Sequence, residues 1–259
     1  MIVLKSEDEL ARMRIAGQIV ARVHEALKEK IAPGVTTAEL DELAERIIRQ
    51  NDAVPSFLGY PHQGVNDFPA SICASINQEI VHGIPSRDRV LKEGDIISVD
   101  VGTIYKGWQG DAAFTVGVDQ ISPEAQRLIN VTEESLGKAI EQCQSGNRLW
   151  DVMGAVQQHA ESAGFSVIRE YQGHGIGRDM HEPPSIPNFL DKNRHRRPKN
   201  WLLKPGMTLA IEPMVCQGVW QTRTLEDGWA VVTADGKLSA HSEHTVAITE
   251  NGPQILTRL

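Results

Sequence analysis

The chain has 259 residues, 41% hydrophobic and 23% charged, an ordinary globular composition that excludes a disordered or fibrous protein. At this length folding buries roughly 70–75% of the chain's surface, enough for a large core without disulfide or metal staples. With 34 acidic against 26 basic side chains the net charge is −8, the wrong sign for a dedicated DNA- or RNA-binding domain.

Apolar residues recur at helical spacing from residue 8 to about 30, at Leu10, Met13, Ile15, Ile19, Val20, Val23 and Leu27. Pro33-Gly34 ends that helix. Thr36 or Thr37 then offers an N-cap, with Glu39 in the first turn of a second helix reaching about residue 50. Residues 54–70, with Pro55, Gly59, Pro61, Gly64 and Pro69, read as a long loop. Strands are predicted at 70–75, 80–83 and 95–103, the last closing a hairpin with 109–118. Two more helices fit 123–143 and 148–163. Beyond Gly164 the pattern returns to strands, interrupted by a Pro- and Lys/Arg-rich loop at 183–200.

Three widely spaced cysteines, Cys73, Cys143 and Cys216, form no CxxC pair, which points to a reducing compartment and away from a thiolate zinc site. The opening MIVLKSEDELARMR offers four apolar residues before the charges begin, too few for a signal peptide. No apolar run approaches the roughly 18 residues of a membrane span. A cytoplasmic protein without membrane contact is expected.

A faint repeat runs through the chain. Leu91-Lys92-Glu93-Gly94 and Leu203-Lys204-Pro205-Gly206 match at an offset of 112 residues, and the same offset superposes Gly34 on Gly146, each between two helices. Helix, Gly break, helix, loop and LKxG-strand thus occur twice in one order, which predicts a pseudo-twofold α+β domain. The offset also carries Asp100 onto Glu212, so the chemistry is expected between the halves.

Asp100 lies in the apolar run Ile96-Ile97-Ser98-Val99-Asp100-Val101, and Asp111 in Gly110-Asp111-Ala112-Ala113-Phe114. A hairpin turning at Tyr105-Lys106 would set the two aspartates directly opposite each other, Cβ atoms roughly 4.5–5.5 Å apart. Carboxylates that close in an apolar setting share a proton or bind cations. Glu212 in Ile211-Glu212-Pro213-Met214 and Glu243 in Ser242-Glu243-His244-Thr245 repeat the pattern, and His174 lies among glycines in Gly173-His174-Gly175-Ile176-Gly177. One histidine and four carboxylates suit Mn²⁺, Fe²⁺ or Co²⁺. Five such side chains can hold two divalent ions roughly 3.5–4 Å apart with a water between them. His181-Glu182-Pro183-Pro184-Ser185 is not HExxH, because serine ends it and two prolines forbid the helix. Nor does the glycine run around His174 have the spacing of a dinucleotide loop.

These five residues, in the contexts SVDVG, GDAAF, GHGIG, IEPM and SEHT, resemble the dinuclear metal site of type I methionine aminopeptidases of the bacterial short form. The resemblance covers nearly the whole chain and includes VHGIP around His82 and MHEPP around His181. It implies the pseudo-symmetric pita-bread fold, an antiparallel sheet covered by two helix pairs. The whole of 1–259 then forms one catalytic metallopeptidase domain with halves at roughly 1–118 and 119–259. Asp111 and Glu243 would bridge the ions, Asp100 completing one and His174 with Glu212 the other, with Zn²⁺ a further candidate metal. Glu212 would also shuttle the proton, His181 stabilise the tetrahedral intermediate and His82 contact the substrate amide or leaving nitrogen. The methionine pocket would be walled by Tyr60, Phe68, Cys73, His82 and Trp229, with His181 and Met180 beside it; the family commonly has an aromatic at the Met180 position. Residues 62–67 lengthen the loop between Tyr60 and Phe68. A monovalent cation would map to the carbonyls of Asn77, Glu79 and Ser239. The substrates implied are nascent chains beginning with Met before a small residue, and the expected state is a monomer.

Of the other histidines, His24 and His159 read as helix residues and His62 as a loop residue without neighbouring carboxylates; His241 shares a strand face with Glu243 and could support the metal. The run Lys192 to Lys199 is the one basic cluster, a solvated loop by default or a contact to ribosomal RNA. Proline dipeptidases and aminopeptidases P share the fold but usually carry a further N-terminal domain, whereas here the metal-bearing strand begins by residue 95. Non-catalytic relatives lose ligands that this sequence keeps.

Overall fold

The computed structural model describes residues 2–62 and 64–259. Four helices form where caps and apolar spacing put them: α1 (Glu7–Lys30), α2 (Thr37–Gln50), α3 (Pro123–Glu141) and α4 (Leu149–Ser162). Ser6 and Glu9 close a capping box on α1, and Thr36 with Glu39 closes one on α2, which settles the choice between the two threonines. Ser122 caps α3 just before Pro123. No helix among the described residues is long and apolar enough to cross a membrane.

Each helix pair covers the strands of its own half. Ile19, Val20, Leu27, Leu40 and Ile48 pack on Ile97, Val99 and Val101 of strand Ile96–Tyr105. Leu128, Leu136, Val152 and Val156 pack on Leu209, Ile211, Val246 and Ile248. Each fully buried aliphatic side chain is worth about 1.5–3 kcal/mol, so these two layers outweigh the surface ion pairs. The two-residue period of a strand then decides where the acids go. With Ile97, Val99 and Val101 turned to the helices, Ser98, Asp100 and Gly102 take the opposite face.

The repeat is visible in the hydrogen bonds. Gly34 N–H donates to the Leu91 carbonyl at 2.8 Å and Gly146 N–H to the Leu203 carbonyl at 3.0 Å. Leu91 N–H donates to Val35 and Leu203 N–H to Asn147, both at 2.8 Å. Gly34 and Gly146 have φ of 90° and 95°, a region that side chains with a Cβ avoid. Short strands dock equivalently as well: Val54 lies opposite Ile104 and Ser166 opposite Cys216.

The strand pairing is antiparallel throughout. In the first half, strand Ile96–Tyr105 pairs along its full length with Trp108–Gly117. In the second, Thr208–Ile211 and Met214–Cys216 pair with His244–Thr249 and Ser239–His241, separated by Pro213, which has no N–H for a ladder. The register runs on across that gap: Ile211 faces His244 and Met214 faces His241, so Glu212 lies across from Glu243. The halves are joined where Glu243 N–H donates to Ala113 at 2.8 Å and Ala113 N–H returns to Glu243 at 3.3 Å. Two threonines flank this seam in a reciprocal way. Thr115 Oγ1 donates to the His241 carbonyl (2.7 Å) and accepts its N–H (2.9 Å), while Thr245 Oγ1 donates to the Asp111 carbonyl (2.8 Å) and accepts its N–H (3.1 Å).

The predicted loop at 183–200 holds a strand, Glu182–Pro187, paired with Gln172–Gly175. Its three prolines hid it. It lies at the edge of the five-stranded sheet, where a missing N–H costs no ladder bond.

Candidate metal centre and substrate cavity

Strand Ile96–Tyr105 carries Asp100 and its hairpin partner carries Asp111, but they do not face each other directly as predicted. Asp100 lies opposite Ala113 and Asp111 opposite Gly102. The turn falls at Lys106-Gly107 instead, with φ of 48° and 78°, the backbone a two-residue hairpin loop demands. The error is two residues, so both carboxylates still share one face, as diagonal neighbours. Helix α1 braces this strand. A Cβ on Gly110 would meet the Gly17 nitrogen at 2.6 Å, and His24 Nε2 lies 3.0 Å from the Ala112 carbonyl.

His174 comes from strand Gln172–Gly175, Glu212 from the break at Pro213, and Glu243 from the break between Ser239–His241 and His244–Thr249. All five predicted ligand residues converge. Asp111, His174 and Glu243 each offer a ligand atom within 4.8 Å of the others. His174 Nε2 lies 3.5 Å from Glu212 and 3.9 Å from Asp111. Its Nδ1 lies 2.9 Å from the Gly175 carbonyl, which assigns the proton to Nδ1 and leaves Nε2 free as a donor atom.

The electrostatics call for cations. Burial lifts the Asp111 carboxyl to about 7. Asp100, Glu212 and Glu243 are pushed well above the carboxylate range, first by burial and then by the charge of Asp111, with Glu212 adding to it for Asp100 and Glu243. Burial holds His174 down to about 3. Among the described residues, Asp100 Oδ1, Asp111 Oδ1 and Glu243 Oε1 are buried without a hydrogen-bond partner. Unpartnered buried carboxylate oxygens are costly, and divalent ions would satisfy them. The donor set therefore fits a divalent metal.

The cluster forms one wall of a cavity of about 340 Å³, whose other walls include Tyr60, Phe68, Cys73, His82, Met180, His181 and Trp229. Every predicted pocket residue is thus brought to the same space. Phe68 and Trp229 meet edge to face at 5.1 Å, and His82 stands edge-on to Trp229 at 6.1 Å. Burial holds His82 down to about 4 and keeps the Cys73 thiol protonated. Trp229 donates its indole N–H to the Asn66 carbonyl at 2.9 Å, tying the 62–67 loop to the pocket; Gln63 lies outside the described residues. Tyr60 Oη lies 2.6 Å from His181 Nδ1, and the His181 ring is 4.4 Å from that of His174. Burial also lowers His181, so its ring is neutral near pH 7.

Sequence reasoning missed part of this cavity. Phe57, Tyr171, Met214 and Thr224 also line it, as does His62, which packs on Trp229 at 5.0 Å. His241, which the sequence already placed beside Glu243, lines it too and is 2% exposed. The turn bearing His181 has an anchor that no motif announced. Lys5, its side chain 3% exposed, pairs with Glu182 at 2.6 Å, and the other Glu182 oxygen accepts the Arg178 N–H at 2.9 Å. At the mapped cation position, the Asn77 carbonyl accepts the Ser239 N–H at 2.9 Å.

Two helix pairs over antiparallel strands, with a buried carboxylate and histidine cluster between them, define a metallopeptidase of the pita-bread kind. The chain belongs to metallopeptidase family M24, whose family model matches residues 11–250. Within that family it is similar to methionine aminopeptidase 1 of Bacillus subtilis, 52% identical over 259 residues and the full length of both chains. It is likewise 52% identical to the methionine aminopeptidase of Clostridium acetobutylicum, over 99% of each chain. The crystal structure of the Thermotoga maritima methionine aminopeptidase superposes with a TM-score of 0.94 at 44% identity, covering 100% of both chains. The prolidase of Pyrococcus furiosus shares the fold, with a TM-score of 0.75 at 22% identity, and this chain covers 66% of it.

Proposed function

We propose that the chain is a methionine aminopeptidase that removes an N-terminal Met when the next residue is small. The observation that carries the reading is one cavity holding both an apolar slot, formed by Phe68, Cys73 and Trp229, and the five-residue cluster. An unbranched thioether fits such a slot. Full-length similarity to methionine aminopeptidases, against partial coverage of the prolidase, supports it over the proline-specific alternatives. The whole of 1–259 acts as one catalytic domain, because the cluster draws on both halves.

Asp100, Asp111, His174, Glu212 and Glu243 would hold two divalent ions. Bound ions supply Lewis acidity and bring the pKa of water towards neutrality. Mn²⁺, Fe²⁺ or Co²⁺ suits the oxygen-rich donors, with Zn²⁺ allowed. Glu212 takes a proton at a carboxylate oxygen and returns it to the leaving nitrogen. In the tautomer that accepts the Tyr60 hydroxyl at Nδ1, neutral His181 carries its proton on Nε2 and offers it to the oxygen of the scissile carbonyl. His82 contacts the substrate amide. A monovalent cation at Asn77, Glu79 and Ser239 would stiffen the neighbouring turn.

The enzyme works in the cytoplasm, as a monomer, on nascent chains. In the basic run, Arg197 is engaged by the fold, donating to Asp191 at 2.6 Å and lying 5.1 Å over Trp150. Lys192, Arg194 and Arg196 are exposed and remain for ribosomal RNA. Methionine release from Met-Gly-Met, Met-Leu-Met and an X-Pro peptide, with and without added divalent metal, tests the proposal. Metal-dependent hydrolysis of Met-Gly-Met alone is expected. Efficient cleavage before Leu, or of the X-Pro peptide, would overturn it.

A further inference from the structure

His241 stands at a position where the pseudo-symmetry makes a demand. Gly102 lies opposite Asp111 in the first half, and its counterpart at the 112-residue offset, Met214, lies opposite His241 in the second. His241 therefore occupies the place of Asp111. The likeness extends to the backbone: Thr245 clamps both main-chain polar groups of Asp111, and Thr115 clamps both of His241. One half puts a carboxylate on this rigid mount and the other an imidazole.

The imidazole is aimed. His241 Nε2 is buried without a hydrogen-bond partner and lies 3.9 Å from Glu212 Oε2 and 3.8 Å from Glu243 Oε2. These distances are too long for hydrogen bonds, yet a shift of about 1 Å in either carboxylate closes one. Of the two candidate ion positions, the one assigned to His174 and Glu212 has its glutamate facing His241. A neutral imidazole suits this position, since a lysine would compete with the cations for the same oxygens.

We propose that His241 is a positioning residue, its Nε2–H orienting the Glu212 and Glu243 carboxylates for the ion shared with His174. The proposal rests on the metallopeptidase reading and goes beyond it by naming what holds the two glutamates. Removing such an outer partner usually weakens metal affinity about 10–100-fold.

Calorimetric titration of chelator-stripped protein with Mn²⁺ tests it. In His241→Ala and His241→Phe one of the two Mn²⁺ affinities should fall about 10–100-fold, while His241→Gln, which keeps an N–H donor, stays within a few-fold of wild type. The Phe variant fills the space, so a loss there reports the missing donor and not a packing defect. Wild-type affinities in both the Ala and Phe variants would overturn the proposal. A wild-type chain that binds no Mn²⁺ would overturn the metal reading and the proposal with it. A second measurement needs no variant: long-range ¹H–¹⁵N spectra of the metal-free wild type should show the His241 proton on Nε2. A proton on Nδ1, with Nε2 bare, would overturn the assignment.

Discussion

The two halves build their share of the site from one frame in different ways. The first half uses a hairpin of two continuous ten-residue strands, and its acids sit diagonally, Asp100 opposite Ala113 and Asp111 opposite Gly102. The second half breaks the equivalent strands at Pro213 and again at Ser242-Glu243, which brings Glu212 and Glu243 across from each other and sets His241 beside them. A hairpin locks a side chain through its ladder, whereas a residue at a break needs other partners. The first half therefore has two acids on rigid backbone, and the second has two acids that depend on neighbours. His174, from a third strand, serves both.

Removing His174 should break the comparison most completely, because it is the nitrogen that the carboxylates of both halves approach. His174→Ala should lose metal and activity together, more than a thousandfold in kcat/KM, as expected when several kcal/mol of ion-derived stabilisation disappear. Metal analysis beside peptide kinetics checks this; two ions retained would contradict it. Seven residues on, His181→Ala should keep its metal while kcat falls roughly 10²–10³-fold with little change in KM, the signature of one lost oxyanion donor. Metal loss in that variant would show His181 to be a ligand.

The metal-free protein sharpens the contrast by its pH response. Buried histidines with folded values of about 3 to 4, such as His82 and His174, cost stability as pH falls below about 6.5, where the unfolded chain takes up protons first. The buried acids act in the opposite sense, because their folded values lie above their unfolded ones. Their contribution is complete at low pH and is lost as pH rises. Above pH 6.5 the histidines no longer act and the acids still do, joined only towards pH 8.5 by the buried thiols of Cys73, Cys143 and Cys216, which burial also raises. Stripped protein should therefore lose about 1.4 kcal/mol per pH unit for each carboxyl that stays protonated only when folded. Thermal melts from pH 6.5 to 7.5, below the range of the thiols, should slope down without metal and flatten with Mn²⁺. Equal slopes would mean that the acids are not held together.

A smaller effect separates the two threonine clamps. Thr245→Val and Thr115→Val each leave buried backbone groups unpaired and should cost about 1–3 kcal/mol in denaturant melts. Thr245→Val should lower Mn²⁺ affinity further, since it frees Asp111, a proposed ligand, where Thr115→Val frees only His241. The reverse order would put the stronger mount in the second half.

Much of this fold can be read from residues in chain order. A threonine at 36 or 37 marks the second helix start, while the caps Ser6 and Ser122 emerge from the structure, and the glycines at 34 and 146 mark turns that only a residue without Cβ makes comfortably. The five candidate ligand residues were legible because Asp100 and Asp111 interrupt apolar strands, Glu212 and Glu243 stand at the ends of such strands, and His174 lies among glycines. The hairpin register was not, since its turn depends on Lys106 accepting a left-handed backbone, which lysine does not advertise. Strand Glu182–Pro187 was masked by prolines that an edge position tolerates. His241 is visible as the counterpart of Asp111 only after strands with different intervening lengths are paired in space.

The Lys5–Glu182 pair has a consequence for how the substrate wall opens. Residues 177 positions apart share an ion pair almost out of water, and breaking such a pair from one side usually costs about 3–5 kcal/mol. The turn leading to His181 is thus guyed by the segment that precedes α1, itself moored where Lys5 N–H donates to Gly206 at 2.7 Å. The Arg178 amide, bonded to Glu182, should exchange its hydrogen only when that mooring slips, so the two ends of this tether breathe as one unit.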